Sequence, residues 1–325
     1  MKSDRKTGEI VLELLIKYKT ILILAVLVSV FTAIKPIFLD PRNLLNILKQ
    51  TSFVAVTAFA ATFIVTLGGL DLSVGSTAAV VGVVLAMLLR GGGSIPLALL
   101  VVLAISAFLG WFNGFVSVKG GIGPFLVTLS TMNIYRGIAM TLSSGRPIPI
   151  VAKSVTNAFG NGSLFGVVPA PVIIIALTFV LTYYLFNKSK FGFYVRCIGG
   201  NEEAARVAGI PVGRIKIIVY TISGLYACIA GLILASLMNA GMSDLGSTLA
   251  LDAIAAVILG GTAITGGYGT VWGTLGGTLI MGALNNGLSL LGAQTQQQIL
   301  VKGIVIILAV LMSNLINKQQ KRETR

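Results

Sequence analysis

Apolar runs of near-membrane-spanning length recur along this chain, separated by short polar or glycine-rich breaks. A helix needs about 20 residues to cross the hydrocarbon of a bilayer. The pattern predicts helices at about 20–38, 50–67, 74–89, 96–118, 124–142, 170–187, 215–238, 249–264, 269–290 and 297–316. Several are short or interrupted by glycine, so about ten crossings with broken helices are expected. The fold class is all-α: a polytopic integral membrane protein with a single transmembrane domain over 1–325. Within it, 1–19, 196–216 and 317–325 stand out as polar segments. Charged residues precede the first apolar run, which has no small-x-small cleavage site, so that run is expected to stay as the first span.

Composition sharpens this picture. Hydrophobic residues make up 55% of the chain and charged residues 10%, with a mean hydropathy of +0.95. A soluble domain is about a quarter charged. The pI near 10.0 raises a nucleic-acid reading. The 24 basic residues sit at span ends, however, and no basic patch is laced with aromatics. They are placed to meet anionic lipid head groups, so lipid is an expected partner and nucleic acid is not. With the N-terminus inside, sixteen of them fall on the cytoplasmic face: those of 1–19, Lys119, those between Lys188 and Lys216, and those of 317–325. The positive-inside rule selects that orientation, with both termini cytoplasmic.

The segment 196–216, RCIGGNEEAARVAGIPVGRIK, reads as a small water-facing helix between spans. Asn201 can cap its first amides, and Glu202 and Glu203 lie at the positive end of its dipole. Arg206 lies near its last turn, Gly209 suits a left-handed stop, and Pro211 forbids continuation. Ala204, Ala205, Val207 and Ala208 leave a small-residue surface. A hydrocarbon-compatible protein has no structural need of such a helix, which therefore reads as a plug offered to a cytoplasmic partner.

Two acids lie in or near spans. Asp71 falls in LGGLDLSVGS (67–76), where an ionised carboxylate at mid-membrane would cost about 2.5–3.5 kcal/mol. Either Asp71 or Ser73 caps the following helix, or this broken stretch gates a pathway, and the two readings are compatible. Asp252 lies at the expected outer end of a span, at a helix start where an acid is comfortable. The glycine-rich 260–269 reads as a tight cytoplasmic turn. Gly269, Gly273 and Gly277 form a bare stripe for close helix packing. Asn285, Asn286 and Asn113, with Trp111 and the 294–298 polar cluster, either bridge helices by hydrogen bonds or line a wet passage. The long outer segment 143–170 is an ordinary loop or a platform for a docking protein.

Absences narrow the function. Histidine is missing and the cysteines are Cys197 and Cys228, which removes His-based triads, zinc sites with His ligands and His proton relays. No G-x-x-x-x-G-K-[ST] phosphate loop occurs, and no nucleophile–base pair appears. No cofactor, metal or catalytic centre is expected, and energy for pumping must come from elsewhere.

At this point the chain resembles the permease subunit of bacterial ATP-binding-cassette sugar importers of the ribose/xylose/galactose type, from about Asn43 to Leu311. The resemblance rests on GGLDLSVGS (68–76), GGNEEAARVAGI (199–210) with KIIVYTISG (216–224), LDAIAAVILGGTAITGG (251–267) and LNNGLSLLG (284–292), in that order. It implies a multi-pass protein of the bacterial plasma (inner) membrane and a permease pair, identical or paralogous. It also implies partner ATPase subunits and an external sugar-binding protein. Glu203, Ala204, Ala205 and Gly209 resemble the EAA…G motif that seats a coupling helix in an ATPase cleft. Where many relatives carry an acid directly before the leucine of LDAIAA, this chain has Ala250, so an outer-gate contact from that acid does not transfer. The expected function is alternating-access import of a monosaccharide, a ribose-like pentose first, with hydrolysis left to the partners. Hexoses, nucleosides and furanosyl autoinducers are the alternatives inside the family, and an ATP-independent carrier lies outside it.

Overall fold

The computed structural model describes residues 20–305 and 307. The polar segments 1–19 and 317–325 lie outside the described residues. Helix α1 is Thr20–Ile34, and after a 3-10 turn at Pro36–Leu39 the long α2 runs Pro41–Thr66. Then follow α3 Val74–Arg90, α4 Ile95–Lys119, α5 Pro124–Ser143 and the short α6 Lys153–Thr156. Helix α7, Ala170–Tyr183, continues as a π turn to Lys188. The remainder is α8 Lys190–Gly200, α9 Glu202–Val207, α10 Val212–Met238, α11 Leu249–Leu259, α12 Val271–Leu290 and α13 over 295–305. Two two-residue antiparallel ladders, Ile148–Pro149 with Ala240–Gly241 and Ser163–Leu164 with Val168–Pro169, are the strands among the described residues.

Four helices are long and apolar enough to cross a membrane by length and composition: α2, α4, α7 with its π turn, and α10. The shorter α1, α3 and α11 are also apolar. The protein is thus a helical, multi-pass membrane protein. Most apolar runs became helices within a few residues of expectation, with three instructive differences. Helix α2 starts at Pro41 rather than near 50. Proline at the first helical position and the Asp40 side chain, accepting from the Arg42 amide at 2.8 Å, start it inside a polar stretch. Helix α11 stops at Leu259, because Gly260 and Gly261 turn the chain, with Gly261 at φ +89°. Helix α8 was not anticipated.

Helices α2 and α10 form the interior. Their most apolar windows are 72% and 67% buried, against 28% for α4 and for α7. Leu100, Phe108 and Leu177 on those peripheral helices are exposed, as a lipid-facing surface requires. Without water to drive helices together in lipid, small residues must admit close approach. A Cβ on Gly110 of α4 would stand 2.3 Å from the Tyr220 carbonyl oxygen of α10, so the two backbones touch there. The irregular stretch between α10 and α11 is held to α5 by Arg136, whose Nη1 donates to the carbonyls of Ser243 and Leu245.

Candidate functional site

The candidate coupling segment is α9. Asn201 has extended backbone, and its Oδ1 accepts the Ala204 amide at 2.9 Å, so the helix is capped as its sequence indicates. Gly209 at φ +80° ends it, with the Ile210 amide returning to the Ala205 carbonyl at 3.0 Å. Ala205 is buried beneath the helix, while Val207 is 83% exposed. Arg206 pairs with Glu202 at 3.3 Å and Glu203 at 3.8 Å, and Lys216 of α10 meets Glu202 at 2.7 Å. Exposed pairs of this kind contribute about 0–1 kcal/mol, so they orient α9 more than they stabilise it. The preceding turn is wedged tightly. The Gly267 amide donates to the Thr66 carbonyl at 2.8 Å, and a Cβ on Gly199 would stand 1.8 Å from that same oxygen. The ends of α2 and α8 and the α11–α12 turn therefore meet directly behind α9.

The loop 67–73 carries Asp71, 6% exposed. Its Oδ1 accepts from the Ser73 amide at 2.9 Å and the Ser73 hydroxyl at 2.7 Å, and its Oδ2 accepts from the Ser223 hydroxyl of α10 at 2.7 Å. Asn113 of α4 donates to Ser73 Oγ at 2.8 Å, and Tyr135 of α5 donates to Asn113 Oδ1 at 3.1 Å. One polar chain thus joins the loop to α4, α5 and α10. The capping expectation is corrected: Ser73 occupies the N-cap position of α3, but neither its side chain nor that of Asp71 bonds the first-turn amides. The carboxylate closes the loop on itself instead. Trp111 stacks on Phe108 and Phe115 rather than joining Asn113.

Asp252, in the first turn of α11, is also buried, with Lys302 of α13 at 3.2 Å and the Thr248 hydroxyl at 3.0 Å, both on Oδ2. A cavity of about 450 Å³ opens beside this pair, at the end of α10 remote from α9. At 1.5 Å per residue the two ends lie about 40 Å apart. Asn285 lines the cavity, but its neighbour Asn286 does not. Asn286 exchanges two 2.9 Å hydrogen bonds with Asn43 and ties α12 to α2. Of the expected stripe, Gly277 packs on the Ala256 carbonyl and Gly273 on that of Gly260, joining α12 to α11, whereas Gly269 abuts the Thr66 hydroxyl. Ser223, Lys302 and Tyr135 were not singled out from sequence, and Lys216 was read only as a basic residue of the inner face. A lone serine or lysine in an apolar helix was the available signal for the first two.

Comparison with known proteins fits this architecture. Residues 43–310 match the family described as branched-chain amino acid transport system / permease component. The chain is 41% identical to the ribose import permease protein RbsC of Bacillus subtilis, over 89% of this chain and 90% of that one. It is 39% identical to the proteins of that name from Haemophilus influenzae and Escherichia coli K12, each over 92% of this chain and 94% of theirs. No solved structure matches. The chain therefore belongs to the branched-chain amino acid transport system / permease component family and is a permease of an ATP-binding-cassette importer.

Proposed function

We propose that this permease carries a monosaccharide, a ribose-like pentose, inward by alternating access. The names of its ribose-import relatives support that substrate. In this reading two permease subunits, identical or paralogous, form the path, both termini are cytoplasmic, and about ten crossings make up each subunit. An external binding protein delivers the sugar, and cytoplasmic ATPase subunits seat α9, from Asn201 to Gly209.

The observation that carries the reading is a mechanical one. Helix α9 runs into α10 through the four-residue link 208–211, with Glu202–Lys216 orienting the two, and two turns further along α10 Ser223 holds Asp71. A push on α9 is delivered to the start of a continuous 27-residue helix, which carries it toward the loop 67–73 and the remote cavity. Asp71, Ser73 and Asn113 then act as the joint that lets α3, α4 and α10 move together, with Asp252 and Asn285 facing the outer opening. The sugar leaves chemically unchanged, so the permease catalyses nothing.

The test is transport in proteoliposomes that hold the permease with its ATPase subunits and binding protein. Uptake of D-ribose should require ATP and every component. Flux through the permease alone would identify a self-sufficient carrier and refute the proposal.

A further inference from the structure

We infer that the 450 Å³ cavity between the outer parts of α2, α12 and α13 is a low-affinity reception site for a neutral polyhydroxylated solute, held within one subunit. The inference rests on the proposed import of a sugar and adds where this chain first holds it. Ligand sites are concave, mostly apolar, and carry a few convergent polar groups. This cavity has that make-up, with Phe53, Val54 and Met281 supplying an apolar floor for the C–H face of a sugar ring.

Its polar groups are the ones a polyol needs. Five carboxamides reach it, from Asn46, Gln50, Asn161, Asn285 and Gln298. Each carboxamide offers an acceptor and two donors, which suits hydroxyls that both give and take. The Asn285 Oδ1 is buried and has no hydrogen-bond partner among the described residues. An acceptor in that state costs about 1–3 kcal/mol, and a turn of the Asn285 side chain would bring it to a ligand hydroxyl in the cavity that Asn285 lines. The Asp252 carboxylate is neutralised by Lys302, while Lys49 donates to Asn161 Oδ1 at 3.2 Å and keeps two further donors for ligand hydroxyls. Among the described residues no arginine lines the wall, so the bidentate fork that favours phosphate is missing there, and the carboxamides suit a polyol.

The test uses the full chain in nanodiscs, with Cys197→Ser and Cys228→Ala, and Asn46→Cys as a reporter on the exposed rim. Maleimide labelling is followed with D-ribose, D-xylose or D-galactose present. At least one sugar should slow labelling saturably, about threefold when its concentration is twice its Kd. Asn285→Leu should abolish that protection. Gln50→Leu on the rim should weaken it, which keeps the test valid if the buried substitution misfolds. Labelling indifferent to all three sugars, or slowed only by sn-glycerol 3-phosphate, overturns the inference. D-Ribose uptake by the complete importer is measured alongside. Uptake without protection removes the cavity and leaves the proposed import standing, whereas protection without uptake keeps the cavity and removes the pentose.

Discussion

Replacing Asp71 with alanine deletes the acceptor for three donors: the Ser73 amide, the Ser73 hydroxyl and the Ser223 hydroxyl. A buried donor left alone costs about 1–3 kcal/mol. The two hydroxyls can turn toward carbonyls of their own segments, which recovers part of the loss. The fixed Ser73 amide cannot, so about 3 kcal/mol in total is expected. At about 2–4 °C per kcal/mol for a chain of this size, Asp71→Ala should melt about 6–12 °C below the parent. Asp71→Asn keeps an oxygen for both Ser73 donors and offers an amide that the Ser223 oxygen can accept, so it should melt close to the parent. Thermal unfolding in detergent, followed by fluorescence, reads both. Uptake by Asp71→Asn should persist, because the joint uses the oxygens rather than the charge. An alanine variant as stable as the parent would refute the network as the loop's anchor. An asparagine variant that is stable but inactive would show that the charge itself is used in transit.

Three more outcomes follow from other contacts. In Gly277→Ala the new Cβ would stand 1.9 Å from the Ala256 carbonyl oxygen, where ordinary contact begins at 3.4 Å, and overpacking of this kind costs about 1–3 kcal/mol. Gly137→Ala, with nothing within 4 Å, should instead gain up to about 1 kcal/mol of helix stability, and equal melting shifts for the two would contradict the packing. Lys302→Met strands the buried Asp252 carboxylate and should destabilise by about 3–5 kcal/mol, most of it restored by adding Asp252→Asn; a double variant no better than the single would sink the pairing. Asn201→Ala removes the α9 cap, about 1 kcal/mol, so hydrogen exchange at the Ala204 and Ala205 amides should quicken about fivefold, while Asn201→Asp keeps it slow. Unchanged exchange in the alanine variant would deny the cap its role.

The helices were legible where apolar residues run on without interruption, and α3, α4, α5, α10 and α12 lie within three residues of the expected bounds. They were illegible where polarity serves the interior rather than a boundary. The first turns of α2 carry Asn43, Asn46, Lys49 and Gln50, which look like loop but face Asn286 and the cavity. Helix α8, KFGFYVRCIGG, buries Gly192, Val195 and Ile198 on one face, but at 11 residues it is too short to stand out in a reading built on membrane-length runs. Local chemistry read well at α9, where the Asn201 cap and the Gly209 stop are set within a few residues. It did not at 71–73, where the Asp71 carboxylate closes its own loop instead of capping α3. Long-range pairing did not, since Asp71 meets Ser223 152 positions away and Lys302 meets Asp252 across 50. Asn285 and Asn286 show the limit clearly. Adjacent on a helix, they point about 100° apart, so one faces the cavity and the other bridges to α2.

The central claim is that force reaches this permease through α9, and Glu203→Lys tests it most directly. Glu203 is exposed on α9 and its one ion pair among the described residues, with Arg206, is loose at 3.8 Å, so the fold should not need it. The variant should insert normally yet fail to co-purify with the ATPase subunits and fail to take up sugar. Normal uptake by this variant, or labelling of a cysteine at position 203 from the outer face of intact cells, would contradict the account.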